Sequence, residues 1–159
     1  MKNILRKLES NTKGFSLTEV TMVLIVLAIG FSLSILYSQT MQVRSDIKSI
    51  SSNFVGFART VQSNAKSGKQ NTWNSVHLEE TKYVLFSGAS YDPNSLTNYE
   101  VELSPAISIQ NISLNGGGDE IIFSSPKGTT NNYGTFSFLS TETGQSTKIT
   151  ITNIGTIEY

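Results

Sequence analysis

Residues 13–37 read KGFSLTEVTMVLIVLAIGFSLSILY, and this stretch largely decides the predicted fold. From Phe15 to Tyr37 it runs for 23 residues with a single charged side chain, Glu19. A helix of that length would span about 34 Å at 1.5 Å per residue, which exceeds a hydrocarbon core of about 30 Å. The sequence therefore predicts a transmembrane helix over residues 15–37.

The residues before this segment are basic, because Lys2, Arg6, Lys7 and Lys13 stand against Glu9 alone. Positive flanks favour the cytoplasmic side. We therefore expect a single-pass protein of the bacterial inner membrane, with a cytoplasmic N-terminus and a periplasmic or otherwise extracytoplasmic C-terminal part. An ordinary secretory signal peptide is the alternative, but its apolar region usually has about 7 to 15 residues and ends at a small-x-small cleavage site.

Glu19 is unusual because a carboxylate deep in a bilayer costs on the order of 2.5 to 3.5 kcal/mol unless it reaches back to the interface. The stretch from Lys13 to Val20 resembles the type III signal of prepilins. That resemblance implies a leader over residues 1–14, cleavage by prepilin peptidase between Gly14 and Phe15, and N-methylation of Phe15. After this cleavage, Glu19 would be the fifth residue of the mature chain. Its carboxylate can then neutralise the Phe15 amine of a neighbouring subunit during filament assembly.

A helical pattern continues beyond residue 37 and predicts an amphipathic continuation over residues 38–66. Ser67 and Gly68 then form a helix stop. A coiled-coil seam is the alternative, but the pattern lasts only about three heptads, so we expect packing on a sheet of the same chain. The apolar stripe consists of Met41, Val43, Ile47, Ile50, Phe54, Phe57, Ala58, Val61 and Ala65.

Residues 67–159 are predicted to form an exported, β-rich globular domain, because short alternating runs are separated by turn formers. The predicted strands cover residues 83–87, 99–103, 106–114, 120–124, 135–139, 147–152 and 156–159, and the last two form a hairpin turning at residues 153–155. The predicted fold class is α+β: a long N-terminal helix with a transmembrane first half, packed on an antiparallel β-sheet domain. The predicted aromatic core is Trp73, Tyr83, Phe86, Phe123, Phe136 and Phe138.

The C-terminal half resembles pseudopilin H of type II secretion and the FimT-like minor pilins. The resemblance rests on the apolar run and glycine turn of residues 121–128 and on the strand, glycine turn and final strand of residues 149–157. Some family members end the last hairpin with a basic residue, where this chain has Thr156 and Glu158. Residues after Gly14 carry eight basic and eleven acidic side chains, so no nucleic-acid partner is expected.

The remaining candidate sites are weak when each is considered alone. His77 is the only histidine and the chain has no cysteine, so no zinc set is expected around His77, Glu79 and Glu80. Asp119 and Glu120 fall short of the roughly six to eight oxygen ligands of calcium. No nucleophile elbow or phosphate loop is present in the sequence. We therefore expect no metal, no cofactor and no enzymatic activity.

The sequence predicts a minor pilin or pseudopilin that is incorporated into a type II secretion pseudopilus or a type IV pilus, for protein secretion or filament initiation. The expected partners are prepilin peptidase, other pilin-like subunits through the N-terminal helix, and the lipid bilayer. The alternative is a single-pass membrane-anchored binding or sensor domain that does not polymerise.

Overall fold

A computed structural model describes residues 14–69 and 72–159, and for residues 33–40 it describes the backbone alone. The chain divides between Gln39 and Thr40 into two units. One helix, α1 (Leu17–Ser67), has 51 residues. It ends where Gly68 takes a φ of +62° and donates its N–H to the Ala65 carbonyl at 3.2 Å, which is the predicted glycine stop.

The prediction of a transmembrane helix over residues 15–37 is wrong on this structure. Within the part of the chain that is described, no helix has both the length and the apolarity needed to cross a membrane. This finding contradicts the predicted fold class in one respect, the transmembrane first half of the helix. It also contradicts the predicted single-pass location in the inner membrane.

In the part of the chain that the structure describes, nine strands follow the helix, and every pairing among them is antiparallel. They form two sheets where one was predicted, with strand orders β3-β2-β1-β5-β6 and β4-β7-β8-β9. The strands are β1 (Ser75–Leu78), β2 (Lys82–Phe86), β3 (Tyr99–Glu102), β4 (Ile107–Leu114), β5 (Glu120–Ser124), β6 (Thr129–Thr130), β7 (Gly134–Ser140), β8 (Ser146–Ile151) and β9 (Ile157–Glu158).

The two sheets meet the C-terminal part of α1 around the ring of Phe54, which is fully buried. This ring lies 5.2 Å from that of Tyr83 on β2, and 5.0 and 5.9 Å from those of Phe136 and Phe138 on β7, each in an edge-on arrangement. Edge-on aromatic pairs add to the stabilisation from burial alone. One helix residue therefore joins both sheets in a single core.

The predicted stripe forms most of the helix face in this core. Ile47, Phe54, Ala58, Val61 and Ala65 are buried, and Val43, Ile50 and Phe57 pack against them as partly buried residues. Met41 is exposed, so the prediction is wrong at that end of the stripe. Burial of one face at three- and four-residue steps is what an amphipathic helix requires.

The strand predictions are confirmed where apolar and polar residues alternate over a long stretch. Phe136 and Phe138 are buried on one face of β7, and Ile149 and Ile151 are buried on β8. The final hairpin is confirmed, because β8 pairs with β9 and Gly155 N–H donates to the Thr152 carbonyl at 2.9 Å. The short strands β1 and β6 were not predicted.

Candidate functional site

The predicted processing junction lies immediately before helix α1. Gly14 and Phe15 precede its first residue, Leu17, and are exposed. Among the described residues, a Cβ placed on Gly14 would meet no atom within 4 Å. The leader residues 1–13, including the basic side chains counted above, lie outside the described residues.

Ser16 and Glu19 begin the helix together. Glu19 N–H donates to Ser16 Oγ at 3.3 Å, and Ser16 N–H donates to Glu19 Oε2 at the same distance. This reciprocal pair is a capping box, which satisfies donors that otherwise have no partner at a helix start. A carboxylate in the first turn also interacts favourably with the helix dipole. Glu19 therefore has a local role that the sequence analysis did not assign to it.

The following residues form an apolar surface, which we name the N-terminal apolar segment and define as residues 15–31. Its large apolar side chains are between 46% and 84% exposed. They are Phe15, Leu17, Val20, Met22, Val23, Leu24, Ile25, Val26, Leu27, Ile29 and Phe31. Because they follow one another almost without interruption, they surround the helix on all sides. Phe15, Glu19, Val20, Val23 and Leu24 line one shallow groove on this surface.

An apolar surface of this extent marks a place where another molecule binds. Glu19 is the only charged side chain in residues 15–31. The segment can bury its side chains by packing against other apolar helices, but that burial would also remove the Glu19 carboxylate from water. An unpaired buried carboxylate is costly, so such packing needs a cationic partner close to Glu19.

The structure also brings together polar residues that the sequence analysis considered separately. His77 on β1 faces Glu120 on β5, and Asp119 and Glu79 lie on either side of its ring. The side chain of Tyr91 stacks on the imidazole, with ring centroids 4.0 Å apart. Asp119 lies 42 positions after His77, and no spacing in the sequence indicates that the two meet.

Lys82 balances part of the negative charge beside this cluster. Its Nζ lies 2.9 Å from Glu100 Oε2 and 3.8 Å from Glu79 Oε1. The hydrogen bond to Glu100, opposed by partial desolvation and supported by the charge of Glu79, raises the pKa of Lys82. Partial burial, supported by the nearby carboxylate of Glu79, raises the pKa of Tyr91.

Searches of family models, of curated proteins and of solved structures find no match to this chain.

Proposed function

We propose that this chain is a pilin-like subunit that is processed between Gly14 and Phe15 and is then built into a filament, as a minor subunit of a type II secretion pseudopilus or a type IV pilus. The N-terminal apolar segment is the surface through which the subunits associate. The chain has a structural role in this proposal and catalyses no reaction.

The observation that carries the proposal is the exposure of the N-terminal apolar segment on all sides of α1. A helix in the core of a globular domain has one apolar stripe, whereas this segment has no polar face. Packed among equivalent helices of other subunits, such a surface would be covered on every side. Burial of apolar area contributes about 25 cal/mol per Å², so eleven large side chains provide a strong driving force for association.

Glu19 determines how neighbouring helices are positioned in this association. Cleavage after Gly14 would create a cationic α-amine on Phe15, four residues before Glu19. In a bundle of helices, the carboxylate of one subunit can pair with the amine of the next, and each charge removes the cost of burying the other. The capping box uses Oε2 of Glu19 and leaves Oε1 for this second contact.

The experiment that tests processing is mass spectrometry of the chain after co-expression with a prepilin peptidase. We expect loss of residues 1–14 and addition of one methyl group to Phe15. Gly14→Val should block cleavage, whereas Gly30→Val should not. The two positions are a matched pair, because a Cβ at either one meets no atom within 4 Å. An intact wild-type chain, or one trimmed at another residue, would overturn the proposal.

A further inference from the structure

His77, Asp119 and Glu120 converge beside the central strand of the first sheet. His77 is paired with Glu120 in the register of β1 and β5, and Leu78 N–H donates to the Asp119 carbonyl at 2.8 Å. These backbone contacts fix the positions of the Cα atoms that carry the three side chains. Each side chain offers one metal-binding atom, and the three atoms lie within 4.8 Å of one another.

The imidazole of His77 is held in one orientation. Tyr91 stacks on it with an angle of 15° between the rings. In that orientation, Nε2 lies 3.7 Å from Glu79 Oε1 and Nδ1 lies 3.5 Å from Asp119 Oδ1. Nδ1 is buried, and it has no hydrogen-bond partner among the described residues. A buried nitrogen without a hydrogen-bond partner is unfavourable, so this atom needs an explanation.

The charges around Nδ1 suggest what that explanation is. In this orientation Nδ1 faces Oδ1 of Asp119, and Nε2 faces Oε1 of Glu79. A lone pair on Nδ1 and a carboxylate oxygen of Asp119 can both bind a cation that lies between them. The separation of 3.5 Å is close to the roughly 3.3 Å between two ligand atoms of a tetrahedral zinc ion with bonds of about 2.0 to 2.1 Å.

The geometry points to a binding site for a divalent transition metal such as Zn²⁺, formed by His77 Nδ1 and one carboxylate oxygen each from Asp119 and Glu120. Two carboxylates and a neutral imidazole supply a charge of −2, which matches the cation. Glu120 Oε1 accepts a hydrogen bond from Tyr91 N–H at 3.2 Å, so Oε2 is the oxygen left for the metal. Three protein ligands leave a fourth position for water.

Glu79 acts as the outer partner of the histidine in this site. A histidine that binds a metal usually donates its other ring N–H to a carboxylate or carbonyl, which orients the ring. Glu79 Oε1 lies 3.7 Å from Nε2, so a small movement of its side chain would form that hydrogen bond, and Lys82 partly neutralises Glu79. One nitrogen and two carboxylates favour a transition metal over calcium, which takes about six to eight oxygen ligands.

The metal would fix two loops to the centre of the sheet. Asp119 directly follows Gly116, Gly117 and Gly118, which all have positive φ values, and Tyr91 lies in the loop between β2 and β3. Neither loop can be held by a disulfide, because the chain has no cysteine. A bound metal would raise the stability of the folded state by mass action.

The test is calorimetric titration of the full chain, without a histidine tag, with ZnCl₂ at neutral pH. We expect one zinc ion per chain and a higher thermal unfolding temperature with zinc present. Asp119→Asn should weaken zinc binding at least ten-fold, whereas Asp46→Asn, the same change at an exposed position on α1, should not. His77→Gln should abolish the one-to-one binding, and circular dichroism spectra should show that each variant is folded.

NMR of the imidazole nitrogens gives a second measurement that does not depend on a variant. Zinc should shift the Nδ1 resonance of His77 while Nε2 stays protonated. An imidazole protonated on both nitrogens that is unaffected by zinc would mean that a proton alone joins His77 to Asp119, and the proposal would fail. It would also fail if zinc binding were absent, or equally strong in the Asp119→Asn variant.

Discussion

Ser16 and Glu19 hold each other at the start of the long helix, with each backbone N–H donating to the side chain of the other at 3.3 Å. The same carboxylate is the only charge on an exposed apolar surface. Glu19 is therefore connected both to helix initiation and to the proposed association of subunits. Substitutions can separate the two roles, because capping needs an acceptor atom whereas pairing with an amine needs a negative charge.

Glu19→Gln should leave the start of the helix intact and weaken assembly. Glutamine is also suitable for the third helical position of a capping box, so its amide oxygen can still accept from Ser16 N–H. The charge that pairs with the amine is lost, and we expect incorporation into filaments to fall at least about ten-fold, or roughly 1.4 kcal/mol. Hydrogen exchange at the first helical turn checks the cap, and quantification of the filament fraction checks assembly.

Glu102→Gln is the control for that substitution, because it removes an exposed carboxylate from β3. It should change neither measurement. If Glu19→Gln subunits entered filaments as readily as Glu102→Gln subunits, the charge pairing would be wrong.

Phe54→Ala should destabilise the β-rich unit by about 3 to 5 kcal/mol, because it removes a fully buried ring that contacts both sheets. Phe31→Ala is the same change at a side chain that is 69% exposed, and it should leave the stability of that unit nearly unchanged. Urea unfolding followed by Trp73 fluorescence measures both. Equal unfolding midpoints for the two variants would contradict the central place of Phe54 in the core.

Gly155→Ala should be considerably more destabilising than Gly144→Ala. Both glycines have positive φ values, +86° and +69°, so alanine brings backbone strain of about 1 to 2 kcal/mol at either position. At Gly155, the added Cβ would also collide with Gln62 Nε2 and the Gly128 carbonyl, whereas at Gly144 it meets no atom within 4 Å. Thermal unfolding of the two variants tests this, and equal losses would show that the turn can move away from α1.

Stability should fall in alkaline solution partly because of Tyr83. Burial, with a smaller contribution from Tyr99, raises the pKa of its hydroxyl above the ordinary value. The folded chain therefore keeps this proton where the unfolded chain loses it, and folding becomes less favourable as the pH rises above about 10. Between pH 9 and pH 11, the Tyr83→Phe variant should lose less stability than the wild type. Tyr159 is exposed, so the Tyr159→Phe variant should lose as much stability as the wild type. The urea unfolding midpoints of the wild type and both variants, measured at the two pH values, test this prediction.

The sequence was sufficient to predict elements whose pattern is long. The apolar stripe of residues 43–65 and the alternation on β7 and β8 each repeat often enough to define a face. The strand β1 has only four residues, Ser75–Leu78, and its buried Ser75 breaks the apolar alternation. It lies at the centre of its sheet because β2 and β5 pair with it on either side, which no local pattern specifies.

The candidate sites also differ in whether their residues are adjacent in the chain or are brought together by the fold. The proposed processing junction at Gly14 and Phe15 rests on residues that are adjacent in the chain, and it stays a prediction. The cluster around His77 could not, because it depends on the register that sets His77 opposite Glu120. The capping role of Glu19 was present in the spacing of Ser16 and Glu19, which is the pattern of a capping box, but its interpretation as a charge inside a membrane concealed it.

The proposed function requires that the exposed apolar helix becomes the contact between subunits of a filament. The most direct test is quantitative mass spectrometry of filaments sheared from cells that express the chain together with its own filament system. We expect the chain to be present there in the form beginning at N-methylated Phe15. If the filaments contain the other subunits and the processed chain remains outside them, the proposed function is wrong.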